Sequence, residues 1–319
     1  MRIVALVPGG ISEQLLFLPT LDDLKQTYPE AQIDVVVEPG SQAAYRVSKS
    51  VNESLLFSYR DRKSLADWSN LLGILRDREY EVAIFAGQAL SVTFGLWLAG
   101  IPTRVGYAGG AGQRFLTRAI GNNKNQYRAQ TYHDLLTGLG LSSPCPELAV
   151  SIPTSDLDWA DGERRRLGIQ TSGYVLIYGT ATGETSTNSS QAYPISSWKG
   201  IIQDFQHRQP DLPLVLLQGA ENGEWVGALV QAFPSLKVTA PDDVGKLIAI
   251  IAGASLMLST DADPLQMAVA AKTYALGLFG STVPEQRLPA SDRFVAIKSL
   301  TGQLADISPQ MVSEKIWGS

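Results

Sequence analysis

Ile3-Val4-Ala5-Leu6-Val7-Pro8-Gly9-Gly10-Ile11-Ser12-Glu13-Gln14-Leu15-Leu16-Phe17-Leu18-Pro19-Thr20-Leu21 opens this chain and decides its fold. The first five residues are apolar and rich in β-branched side chains, and a Pro-Gly-Gly breaker ends them. They read as a buried parallel strand. Apolar residues then return at helical spacing, with Ser12 as a candidate N-cap, so a helix follows the glycines. Strand, glycine turn and helix start together aim backbone N–H groups and a helix dipole at a ligand. Glu13 is the carboxylate at that corner, where α/β proteins bind their ligands.

The same grammar runs outward along the chain. Gln32–Glu38, Tyr80–Phe85 and Thr103–Tyr107 read as strands, with helical segments at Leu65–Arg76 and Ala89–Ala99. The rhythm lapses around Ser142–Asp156, which is rich in breakers and reads as a connection. It restarts with strands at Tyr174–Tyr178, Leu214–Gly219, Leu256–Thr260 and Tyr274–Gly280. Helices are expected at Ser196–Gln206, Glu224–Ala232 and Leu265–Ala271, with a terminal helix near 309–317. Alternating strands and helices predict α/β units with parallel sheets. The expectation is two Rossmann-like doubly wound domains, 1–155 and 156–319, facing a central cleft.

A chain of 319 residues suits two domains. No apolar run approaches the roughly 20 residues of a membrane span, and no export signal is visible, so the expected compartment is the cytoplasm. Cys145 is the single cysteine and His133 and His207 are the only histidines, which leaves no multi-cysteine metal site. The net charge of −5 argues against a nucleic-acid binder. Residues 1–150 balance 14 basic against 14 acidic side chains, whereas 151–319 carry 12 against 17. From Arg104 to Tyr132 there are five cations, no acid and five glycines, a flexible segment suited to an anionic partner such as a phosphorylated glycolipid. A solvated loop and helix face accounts for it equally well.

Several residues carry candidate chemistry. Gly9 and Gly10 let the backbone approach a ligand, and Glu13 can act as a general base on a hydroxyl. Spacing alone favours the plainer role of an acid near a helix N-terminus. Asp261-Ala262-Asp263-Pro264 joins a strand to a helix, where an aspartate caps the helix or binds a sugar hydroxyl. Thr180 and Thr182 belong to the hydroxyl-rich loop 179–190, which can cradle a diphosphate or remain a surface loop. That loop lacks the Gly-Lys-Ser/Thr ending of a P-loop, and the first turn lacks Gly-x-Gly-x-x-Gly, which disfavours an NAD-type oxidoreductase.

The stretch Pro8–Leu21 with Tyr28–Asp34 resembles the opening of the heptosyltransferase family, glycosyltransferase family 9. Further matching pieces follow in order: Tyr80–Ile84, Leu98–Tyr107, Tyr193-Pro194 with Trp198, Leu258–Ala268 and Leu278–Pro284. The resemblance implies a GT-B fold with an acceptor-binding first domain and a nucleotide-sugar-binding second domain. It also implies an inverting, metal-independent transfer of a heptose or hexose-like sugar to a glycan or glycolipid such as lipopolysaccharide. No cofactor is implied beyond the nucleotide-sugar co-substrate, with an ADP-sugar first among donors. Peripheral contact with the inner face of the membrane fits that acceptor.

By position, Glu13 falls on the family's catalytic aspartate, Thr180 on a diphosphate contact, and Asp261 and Gln266 on sugar or phosphate contacts. Thr182 and Asp263 complete the expected donor set. Gly9, Gly10, Arg104 and Arg114 form the expected acceptor side, and either arginine is a candidate replacement for a missing cation. The chain departs from the family at Ser12-Glu13 for Gly-Asp, at Asp261-Ala262-Asp263 for Asp-Thr-Gly, and at Gln266 for histidine. Gln191 or Ala192 stands where a lysine is expected, and Tyr193 replaces tryptophan. These departures raise a second reading, a degenerate transferase fold kept for binding or assembly.

Overall fold

The computed structural model describes residues 1–59, 64–180 and 192–318, which form two compact units, Met1–Ser151 and Ile152–Ser319. The first unit holds strands β1 (Arg2–Val7), β2 (Gln32–Val37), β3 (Glu53–Leu56), β4 (Val82–Phe85), β5 (Thr103–Tyr107) and β6 (Arg118–Ile120). All neighbours pair in parallel, in the order β3-β2-β1-β4-β5-β6. Helices α1 (Ile11–Thr27), α2 (Leu65–Asp77), α3 (Leu90–Leu98) and α4 (Arg128–His133) accompany them.

The second unit holds β7 (Val175–Tyr178), β8 (Leu214–Leu217), β9 (Lys237–Thr239), β10 (Leu256–Thr260), β11 (Ala275–Phe279) and β12 (Phe294–Lys298). Its order, β12-β11-β10-β7-β8-β9, repeats that of the first. In each unit the first strand lies beside the fourth, so the direction of winding reverses there. That is the position where doubly wound sheets bind ligands, at the carboxyl ends of the strands. Helices α5 (Thr154–Leu167), α6 (Ile195–Arg208), α7 (Gly223–Ala232), α8 (Val244–Ala252), α9 (Asp263–Ala270), α10 (Pro284–Arg287) and α11 (Pro309–Trp317) complete the unit. The architecture is α/β with two Rossmann-like doubly wound sheets, as the strand–helix alternation predicts.

Central position explains the apolar opening run. Ile3 to Val7 are each wholly buried because β2 and β4 flank the strand. Local details differ from the sequence reading. Gly10, in extended conformation, is the N-cap of α1, and Ser12 lies inside the helix. Pro19 lies within that helix, as the spacing predicts, and the helix runs on to Thr27. Ala262 caps α9, with Asp263 and Pro264 in its first turn and no side-chain cap. The segment 104–132 is built of β5, a 3-10 turn at Ala111–Phe115, β6 and the start of α4, so it is more ordered than its glycines suggest.

Candidate functional sites in the two units

In the first unit the chain leaves β1 through Pro8, Gly9 and Gly10 and enters α1. Gly9 has a φ of 116°, which an L side chain rarely adopts. Its carbonyl accepts from Gln14 Nε2 at 3.0 Å and from Ser41 Oγ at 2.9 Å. Gln14 is fully buried, also donates to Val7 O at 3.0 Å, and accepts from Tyr45 O–H at 2.8 Å. The turn is therefore held from both sides before any ligand arrives.

Glu13 projects from the first turn of α1. Tyr132 O–H donates to its Oε2, and Arg128 Nε lies 3.6 Å from the same oxygen. Arg128 and Tyr132 are four residues apart on α4, so one helix face delivers both. The Arg128 guanidinium sits 5.4 Å from the Tyr132 ring centre, and that ring meets Phe17 edge-on at 5.5 Å. Burial, then the Glu13 charge, pushes the Tyr132 phenol well above its usual range, so it stays a proton donor. The Glu13 side chain keeps 23% exposure, enough to meet a substrate. The result is an oriented carboxylate at the switch point of a parallel sheet.

Arg104 and Arg114, expected on the acceptor side, have other partners. By register Arg104 is level with Val4, three residues before the end of β1. Its guanidinium donates to Ile101 O and, at 2.6 Å, to Phe115 O, and burial lowers its pKa. Arg104 is thus occupied with loop carbonyls. Arg114 is exposed and covers the Phe115 ring at 4.9 Å. The cation that meets Glu13 is Arg128. Its i, i+4 spacing with Tyr132 was visible in the basic segment, but its pairing with Glu13 was not.

In the second unit the corresponding edge gathers the ends of β7 and β10. Tyr178 and Gly179 close β7, and Thr180 is half-buried after them. Thr182, with the rest of 181–191, lies outside the described residues. Asn222 fixes the neighbouring turn by donating to Gly179 O and Leu217 O and accepting from Gly219 N–H. After β10, Asp261 Oδ1 lies 3.5 Å from Arg287 Nε, both side chains mostly buried. Gln266 is fully buried and donates to Arg287 O at 2.9 Å. Its Oε1 has no hydrogen-bond partner among the described residues. Asp261, Gln266 and Arg287 therefore form one cluster, and Arg287 is the member the sequence reading missed. The clue was its place three residues beyond the Gly-Ser-Thr-Val-Pro turn.

Burial, then the charges of Glu221 and Asp263, raises the Tyr178 phenol. Lys298, at the end of β12, donates to Gly280 O and, at 2.8 Å, to Thr282 O, tying down the turn after β11. Tyr193 and Trp198 are core residues: both are fully buried, their rings meet edge-on at 5.1 Å, and Tyr193 O–H donates to Ile307 O.

Comparison with known proteins places this geometry in context. A solved glycosyl transferase family 9 structure from Veillonella parvula DSM 2008 superposes with a TM-score of 0.84 at 16% identity, covering 98% of this chain and 95% of that one. The E. coli ADP-heptose LPS heptosyltransferase II superposes with a TM-score of 0.79 at 18% identity, covering 99% and 97%. A curated relative is 24% identical over 332 residues, 96% of this chain and 71% of that protein. It is the chloroplastic photosynthetic NDH subunit of subcomplex B 1 from Arabidopsis thaliana. The family description Glycosyltransferase family 9 (heptosyltransferase) matches residues 68–316. With most of its length matched, and with the parallel-sheet GT-B fold of those structures, the chain belongs to glycosyltransferase family 9.

Proposed function

We propose that the protein is an inverting, metal-independent glycosyltransferase that moves a sugar from a nucleotide-sugar to a hydroxyl of a glycan or anionic glycolipid. The observation that carries this reading is Glu13, exposed on one side and oriented by Tyr132 and Arg128 on the other. In the reaction the acceptor oxygen forms a bond to the anomeric carbon and its proton passes to the Glu13 carboxylate. The bond from that carbon to the diphosphate oxygen breaks, and the nucleoside diphosphate leaves with the electron pair. Thr180, Thr182, Asp261, Asp263 and Gln266 are assigned to the donor. Arg287 is the cation that answers the charge on the leaving diphosphate, in place of the family's lysine. An ADP-sugar is the first donor to try, by analogy with the E. coli relative that acts on ADP-heptose.

A second reading has its own support. The curated relative is a subunit of an NDH complex, and at the donor edge the charges of Glu221 and Asp263 act on Tyr178 while Asp261 faces Arg287. A fold kept for assembly would tolerate that acidity better than an enzyme that grips a diphosphate.

Nucleoside diphosphate release from ADP-, UDP-, GDP- and dTDP-sugars, with glycan and glycolipid acceptors, separates the two. Under the transferase reading Glu13→Gln and Glu13→Ala lower the rate by about 10²–10⁴-fold, the usual worth of a positioned base. An unchanged rate in both variants removes Glu13 from catalysis. Absence of turnover with every donor favours the assembly reading.

A further inference from the structure

The solvent-facing side of α3 is apolar. Leu90, Phe94, Trp97 and Leu98 follow one another at i, i+4, i+7 and i+8, and are 40%, 40%, 49% and 37% exposed. Val92, Thr93 and Leu96 face the core instead. A third ring joins the outer face from another element. Phe94 and Trp97 stack at 5.7 Å, and Phe115 lies 5.1 Å from the first and 5.7 Å from the second. Gly112 makes this possible, because a Cβ there would overlap Thr93 Oγ1 and come 3.3 Å from Leu90 Cα. The glycine lets the 3-10 turn lie on α3 and bring Phe115 to the patch.

Cations border these rings. The Arg114 guanidinium covers Phe115 at 4.9 Å, Arg104 Nε donates to Phe115 O at 2.6 Å, and Arg76 Nη2 donates to Leu98 O at 2.8 Å. From Val82 to His133 the chain contains no aspartate or glutamate. Exposed Phe94 and Trp97 contiguous with half-buried Phe115 mark an interaction surface. A partner that suits them offers apolar depth together with negative charge. Lipid headgroups over acyl chains supply both: tryptophan favours the headgroup level, and arginine stems lie along apolar surface while their heads reach phosphate. Among the described residues no helix is long and apolar enough to cross a membrane, so α3 would lie in the interface plane.

We propose that the outer face of α3, with Phe115 and its bordering arginines, docks the first unit on an anionic lipid bilayer. The inference stands whether or not the chain transfers a sugar. Flotation with vesicles of phosphatidylcholine alone, and of an equal mixture with phosphatidylglycerol, tests it. The expected result is binding to the mixed vesicles that weakens as salt rises. Phe94→Ser with Trp97→Ser lowers that binding by about tenfold or more, because two interfacial aromatics are lost. Phe94→Tyr with Trp97→Phe retains it, and Arg76→Glu with Arg114→Glu removes the preference for anionic vesicles. Circular dichroism and melting confirm that each variant is folded. Failure of the wild type to float with either vesicle overturns the proposal, as does undiminished binding of the folded Phe94→Ser, Trp97→Ser variant. A wild type that ignores vesicles but loses a dimer in that variant assigns the face to a second copy of the chain instead.

Discussion

At Gly9 a backbone requirement and a steric one coincide. Its φ is 116°, and a Cβ there would lie 2.7 Å from Cγ and 3.0 Å from Cβ of Glu13. Gly10, one residue on, has an ordinary φ of −75°, and a Cβ added to it would meet nothing within 4 Å. Gly9→Ala is therefore expected to destabilise the protein by about 1–3 kcal/mol and to push Glu13 off Tyr132 and Arg128. Gly10→Ala is expected to change little. Paired thermal melts, with transfer rates measured on the same samples, check the contrast; equal effects of the two substitutions would sink the argument. At this scale the sequence exposed half of the site. Glycines beside an acid after an apolar strand are a local pattern, whereas Tyr132 lies 119 residues from Glu13 and meets it only through the fold.

Among the elements, α1 is tied to the end of β1 by Gln14. Its amide makes three bonds, to Val7 O, Gly9 O and Tyr45 O–H, in a fully buried position. Gln14→Leu keeps the approximate volume but takes a partner from a buried phenol and from Val7 O, while Gly9 O keeps Ser41 Oγ, and is expected to cost about 2–4 kcal/mol. Tyr45→Phe removes one of those bonds and is expected to cost about 1 kcal/mol. Urea denaturation of the two variants checks the ranking, and a milder effect of Gln14→Leu would contradict it. Elements differed sharply in legibility. Central strands such as β1, β7 and β10 are buried on both faces and announce themselves as apolar runs. Three of the four edge strands, β3, β6 and β9, are three or four residues long and carry Glu53, Arg118 and Lys237, so no long apolar run marks them. Pro153, read as part of a connection, is the N-cap of α5; the same residue type that breaks a helix also begins one.

Over the whole molecule, two units repeat one strand order while their polar chemistry diverges. The parallel, doubly wound arrangement was legible because strands and helices alternate; the strand order and the diverging chemistry were not, since they depend on how the chain crosses over and on which side chains the turns bring together. Both units, however, share a store of buried phenols. Burial raises the pKa of Tyr45, Tyr59, Tyr80, Tyr107 and Tyr132 in the first unit and of Tyr174 and Tyr178 in the second, and pushes Tyr193 up to about 12. In the unfolded chain these groups ionise near the ordinary value of about 10. Their folded-state pKa values are higher, so the folded state holds more protons once the pH passes that value. Stability is then fully present below pH 10 and falls as the pH rises through the folded-state values. Each phenol that stays protonated only when folded costs up to about 1.4 kcal/mol per pH unit. The expected outcome is a steep fall in melting temperature from about pH 10 upward, steeper than surface lysines alone would cause. Phenolate absorbance near 295 nm and far-ultraviolet ellipticity, followed together from pH 8 to 12, test this. The buried phenols should ionise in step with unfolding; ionisation near pH 10 with ellipticity intact would mean that they face water in the folded protein.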